Sequence, residues 1–128
     1  MKRVVLTGLV LMASMTVFAQ DDIVMDDGSR VVLPLAAQAC TLPSAPPPIP
    51  EVPVKEDMLK AQKNVKQFQA EMVDYRTCLD KDLDSGELTK GNVLAIANAH
   101  DYSVDMEERV ATMFNEALRA YKASIATQ

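Results

Sequence analysis

Between residues 56 and 83 apolar side chains recur at alternating steps of three and four: Met58, Ala61, Val65, Phe68, Met72, Tyr75 and Leu79. Such steps form a heptad seam and predict one helix over about 57–83. Leu59, Cys78 and Leu83 widen the stripe, while Lys60, Lys63, Lys66, Gln67, Glu71 and Asp74 fall outward. Pro53 sets the earliest start, and Asp84-Ser85-Gly86 supplies a stop, because glycine accepts the left-handed conformation that closes a helix. A second stripe, Val110, Phe114, Ala117, Leu118, Tyr121 and Ile125, shares one helical face. Val93, Leu94, Ile96 and Ala97 precede it, with Asn92 placed to cap. No proline or glycine follows Gly91, so one helix over about 92–125 is expected. His100–Ser103 is its one ambiguous stretch, since Ser103 can also cap a new helix.

The pattern before residue 56 differs. Six of the seven prolines (Pro43, Pro46, Pro47, Pro48, Pro50 and Pro53) lie between Thr41 and Val54. Proline fixes φ and lacks a donor, so residues 40–55 read as an extended arm. Its P-x-x-P spacings suit either a partner's aromatic groove or packing on its own domain. Residues 20–39 read as a flexible acidic segment. Within it, Ile23–Met25 and Val31–Leu33 flank the turn-forming Asp26-Asp27-Gly28-Ser29 and offer a marginal hairpin as the alternative. The fold class expected is all-α: a long antiparallel helical hairpin over 56–126, with the arm tied to its first helix.

The tie is Cys40–Cys78. These are the only two cysteines, and an even count in an exported chain favours a disulfide. The lengths agree. About 16 residues from Cys40 to the helix start span roughly 50 Å as polyproline II. The roughly 21 helical residues from there to Cys78 span about 32 Å. An extended arm can therefore run back along the helix and bring the sulfurs together.

Export is read from the first 19 residues. Lys2 and Arg3 precede an uncharged run from Val4 to Ala19, which closes on Val17-Phe18-Ala19. This is the order of a cleavable signal peptide, with cleavage expected after Ala19. The run is shorter than the roughly 20 residues that span a bilayer. Ala37-Gln38-Ala39-Cys40 only faintly resembles a lipidation site, because charged residues separate it from the apolar run. The 109 residues left from 128 carry 11 basic and 18 acidic side chains, a net charge of −7. No basic run exists, so nucleic acid is not expected as a partner, nor is a membrane once the signal is removed.

Candidate chemistry is sparse. Asp80 to Gly91 approaches a calcium loop, but Ser85 stands at the glycine position, Glu87 at the apolar position and Gly91 at the bidentate glutamate. His100 is the single histidine, with Asp101, Asp105 and Glu107 near it in sequence. No second imidazole or thiolate completes a transition-metal set. Met25, Met58, Met72, Met106 and Met113 read as core filling rather than copper ligands. With no G-x-S-x-G and no free nucleophile–histidine pair, an enzyme is not expected; neither are catalytic, cofactor-binding or metal residues.

The order of these features carries a resemblance. A cysteine precedes a proline-rich arm, a first helix carries Tyr75-x-x-Cys78-Leu79, and a second carries Phe114-Asn115 and Tyr121-Lys122. Over roughly residues 40–123 the layout resembles small exported helical-hairpin proteins of Gram-negative bacteria. That resemblance implies a periplasmic or envelope location and brings no activity or site residues. Three functional expectations follow: a structural or interaction protein working through protein contacts, a holdase-like or stress-related chaperone, and a weak metal- or small-ligand-binding module. Two helices alone bury little, so a second copy making a four-helix dimer is also expected.

Overall fold

The computed structural model describes residues 23–128; the signal-peptide reading lies outside them. The elements are α1 (Leu35–Gln38), α2 (Lys55–Leu79), a 3-10 turn (Leu83–Ser85) and α3 (Lys90–Ala126). The fold is all-α, with α2 and α3 packed antiparallel and Cys40 bonded to Cys78 across a Cα–Cα distance of 5.8 Å.

The heptad seam is the buried edge of α2. Met58, Ala61, Phe68, Met72, Tyr75 and Leu79 are buried, Val65 is half-buried, and the six polar positions predicted to face outward are exposed. Leu59 and Leu83 do not widen the stripe: they are 57% and 40% exposed. At its start, Asp57 Oδ2 accepts the Val54 N–H at 2.9 Å, and Pro53 is among the most deeply buried side chains.

The first helix stops sooner than its pattern predicts. It ends at Leu79, and i→i+3 turns follow, Leu83 N–H to Asp80 O and Ser85 N–H to Asp82 O, both at 3.1 Å. Asp80, Asp82 and Asp84 crowd negative charge where the helix dipole is already negative, which disfavours further α turns. Gly86, at φ 71°, closes the passage in the left-handed region.

The second helix is continuous through His100–Ser103. It starts two residues before the expected position, with Thr89 rather than Asn92 as its cap. Thr89 Oγ1 accepts the Asn92 N–H at 3.1 Å, and Asn92 Oδ1 accepts the Thr89 N–H at 3.2 Å, a reciprocal box. Ser103 begins no new helix. It is fully buried inside α3, where its hydroxyl donates to the His100 carbonyl at 2.7 Å.

The register of the pair differs from a simple hairpin. Asp80 meets His100, and Arg76 meets Ser103 and Glu107. The end of α2 is therefore level with His100, and Lys90–Ala99 projects beyond it by about 15 Å at 1.5 Å per residue. Residues before the arm cover this projection. Ala37, on α1, is 4% exposed and joins Phe68, Met72, Tyr75, Leu79, Ile96 and Val110 in one core, with Leu33, Leu88 and Ala99 packed against it. Within 20–39, read as a flexible acidic segment, Leu33 and Ala37 pack in this core. The alternative hairpin survives only as one isolated bridge, Val24 to Arg30.

The proline arm runs as the length argument requires. It has no regular secondary structure between Thr41 and Pro50. Thr41 and Pro43 lie beside Asp74, Tyr75 and Cys78. Ser44–Pro47 lie beside Asn64, Gln67 and Phe68, and Pro47–Pro50 beside Asp57, Lys60 and Ala61. The arm thus descends antiparallel along α2 from the disulfide to the helix start.

Candidate functional site

Three polar constellations join residues that the sequence singled out to others it did not, Arg76, Thr89 and Lys90. The first sits on the N-terminus of α3. A helix start leaves four N–H groups without helical partners. Here Asp27 Oδ2 accepts the Lys90 N–H at 3.1 Å, and Ser29 Oγ accepts the Gly91 N–H at 2.9 Å. Thr89 Oγ1 takes the Asn92 N–H, and Asn92 Oδ1 takes the Thr89 N–H in return. All four are satisfied, two of them by residues more than 60 positions away in sequence. Lys90 Nζ adds contacts of 2.8 and 2.7 Å to the Asp26 carboxylate, and Asn92 Nδ2 donates to Val32 O at 2.8 Å.

Hydrogen bonds from Ser29 hold the Asp27 carboxyl below its ordinary value of 3.8, with help from Lys90. Within the acidic run Asp27 therefore caps α3 from outside, and Asp26 pairs with the Lys90 side chain; Asp21 and Asp22 lie outside the described residues. Gly91 is required by closeness. A β-carbon there would fall 2.0 Å from the Arg30 carbonyl oxygen. Gly28, at φ 79°, permits the turn.

The second constellation joins the helices. Arg76 Nη1 donates to Glu107 Oε2 at 2.8 Å and to Ser103 Oγ at 3.1 Å. Both charged side chains are about four-fifths buried, with relative exposures of 21% and 22%. The geometry satisfies a buried hydroxyl and fixes register. His100 Nε2 lies 2.6 Å from Asp80 Oδ1. It is half-buried, and its partner comes from the end of α2 rather than from Asp101 or Asp105, which are exposed.

The third is the acidic turn that resembles a calcium loop. Asp80 is engaged by His100, the Asp82 carbonyl accepts the Ser85 hydroxyl at 2.7 Å, and Asp84 is exposed. Among the described residues, no three His, Cys, Asp or Glu side chains come together to hold a metal ion. The methionines divide: Met58 and Met72 are core, Met106 packs against the core, Met25 is half-buried, and Met113 is 41% exposed. Burial in apolar surroundings pushes the Tyr75 hydroxyl above its ordinary value of 10.0.

The P-x-x-P spacings pack on the chain's own helix, and Pro43 and Pro53 are buried. Shallow crevices flank the arm. One is lined by Pro48, Ile49 and Pro50 against Met113, Ala117 and Ala120. Ile125, placed in the second apolar stripe, is 49% exposed, and Val73 and Val104, in neither stripe, are 54% and 44% exposed. No described helix is long and apolar enough to cross a membrane. No family model, curated protein or solved structure matches the chain.

Proposed function

We propose that this chain is an exported, periplasmic protein of structural or interaction type, non-enzymatic and working through protein–protein contacts, as the resemblance to small exported hairpin proteins implies. The observation that carries the reading is a rigid frame with apolar side chains outside it. The Cys40–Cys78 bond and the buried Arg76–Ser103–Glu107 cluster fix the helices and arm. Val73, Val104 and Ile125 nevertheless stay about half exposed. A disulfide is consistent with an oxidising compartment outside the cytoplasm. Crosslinking in intact cells tests the reading. A discrete crosslinked species in the cell envelope, with this chain or another, is expected; none at any crosslinker length contradicts it.

A second reading, the holdase-like chaperone, draws on a different region. Ile23, Val24, Val32 and Leu35 are exposed at 66, 58, 50 and 84%, and such surface can bind unfolded clients. Binding of a hydrophobic dye to the native protein and slowed aggregation of an unfolded client are the expected results. Absence of both removes this reading.

A further inference from the structure

The arm occupies only one flank of the helical pair. On α3 it lies against Met113, Glu116, Ala117 and Ala120. About 100° round the helix from Ala117 runs a second apolar line: Val104, Ala111, Leu118 and Ile125, spaced at intervals of seven. Val104 and Ile125 are 44% and 49% exposed, and Ala111, Leu118 and Phe114 are half-buried. Val73 of α2, 54% exposed and one turn before Arg76, widens the strip at the level of Glu107. A line repeating every seven residues keeps its place against a partner helix over several turns.

The line is symmetric under reversal. Its midpoint falls between Phe114 and Asn115. If a second α3 lies antiparallel across that point, Val104 meets Ile125 of the other copy and Ala111 meets Leu118, a small residue against a large one. The charges reverse as well. Between Asp101 and the midpoint α3 carries Asp101, Asp105, Glu107 and Glu108 against one base, Arg109; after it come Arg119 and Lys122 against one acid, Glu116. Antiparallel pairing places the exposed Glu108 beside Lys122 of the other copy, while Glu107 stays with Arg76 of its own chain; parallel pairing places like on like. A two-fold dimer needs such a self-complementary patch.

We propose that this flank binds a second copy of the chain, α3 antiparallel to α3, with the two-fold axis beside Phe114 and Asn115, closing a four-helix bundle. The proposal rests on the protein-contact reading and names its partner.

The test uses oxidised protein expressed from the full sequence, with mass measured by light scattering from about 1 to 300 µM. A dimer is expected. Val104→Lys and Ile125→Lys, at exposed positions that leave the core intact, are expected to weaken it at least tenfold with unchanged helical circular dichroism. Asn115→Cys, next to the axis, is expected to form a disulfide-linked dimer under mild oxidation. Ala123→Cys, far from the axis, is expected to link much more slowly. A monomer throughout the range overturns the proposal. So does a dimer indifferent to both lysines, or equal linking at 115 and 123, since either places the interface elsewhere. If a monomer still gives a discrete envelope crosslink to another protein, the partner falls and the protein-contact reading stands; if both fail, both fall.

Discussion

Gly91 and Arg30 meet backbone to backbone, so closely that a β-carbon on Gly91 would lie 2.0 Å from the Arg30 carbonyl oxygen. The contact is between main-chain atoms, which cannot rotate aside. Gly91→Ala is therefore expected to lift the 26–32 turn from α3. Alanine gains about 1 kcal/mol of helix propensity over glycine, so global stability should change little. Hydrogen exchange at the amides of positions 90 and 91 should accelerate more than tenfold while that of Met72 and Ile96 stays slow. Unchanged protection at positions 90 and 91 would contradict the packing.

Asp27 gives the same contact a pH dependence. Its carboxyl is held below the ordinary value in the folded state. The stabilisation is therefore complete above the unfolded value near 3.8 and is lost as pH falls through the lower folded value. Amide shifts of Lys90 and Ser29 should move together below pH 3.8. Asp27→Asn, which retains an acceptor oxygen without the charge, should abolish that titration while leaving the turn in place near neutrality.

Arg76 couples the helices through Glu107 and Ser103. Arg76→Ala leaves a largely buried carboxylate and a hydroxyl without their donor and should cost about 1–3 kcal/mol in denaturant unfolding. A double-mutant cycle with Glu107→Ala should return a coupling of about 1 kcal/mol. A coupling indistinguishable from zero would mean that the pair is solvated in solution.

Met72 is fully buried at the centre of the α2 seam. Met72→Ala should destabilise by about 2–5 kcal/mol, through lost transfer energy and the cavity left behind. Leu59→Ala, at a site 57% exposed, should cost less than about 1 kcal/mol. Equal losses at the two positions would contradict the orientation of the helix.

Much of this architecture is legible in the sequence because its signals are local. The heptad steps from Met58 to Leu79 fix the buried edge of α2, and the absence of proline and glycine after Gly91 carries α3 through His100. The arm follows from its prolines, and its disulfide from the cysteine pair and from lengths that agree. What escapes is long-range. Nothing near Asp27 or Ser29 in sequence reveals that they cap a helix more than 60 residues later. Ala37 looks like tail until it joins the core beside α2, and residues 26–32 do until the projection of Lys90–Ala99 past α2 gives them a surface to cover. That projection depends on the register set by Arg76 and His100, which periodicity cannot supply. The surface line Val104, Ala111, Leu118 and Ile125 is hidden for a related reason: its members interleave with core positions on the same helix and separate only once the arm takes the other flank.

The most direct test is a peptide map of freshly isolated protein, alkylated and digested without reductant. A single covalent species joining the peptides of Cys40 and Cys78, with no alkylated thiol at either, is the expected result. Closing a loop with a sequence separation of 38 stabilises by about 4 kcal/mol in the chain-entropy model, so the same material should lose on the order of 20 °C in Tm once reduced. Recovery of both cysteines as free, alkylated thiols would contradict the tethered arm, the oxidising compartment and the frame on which the proposed contacts depend.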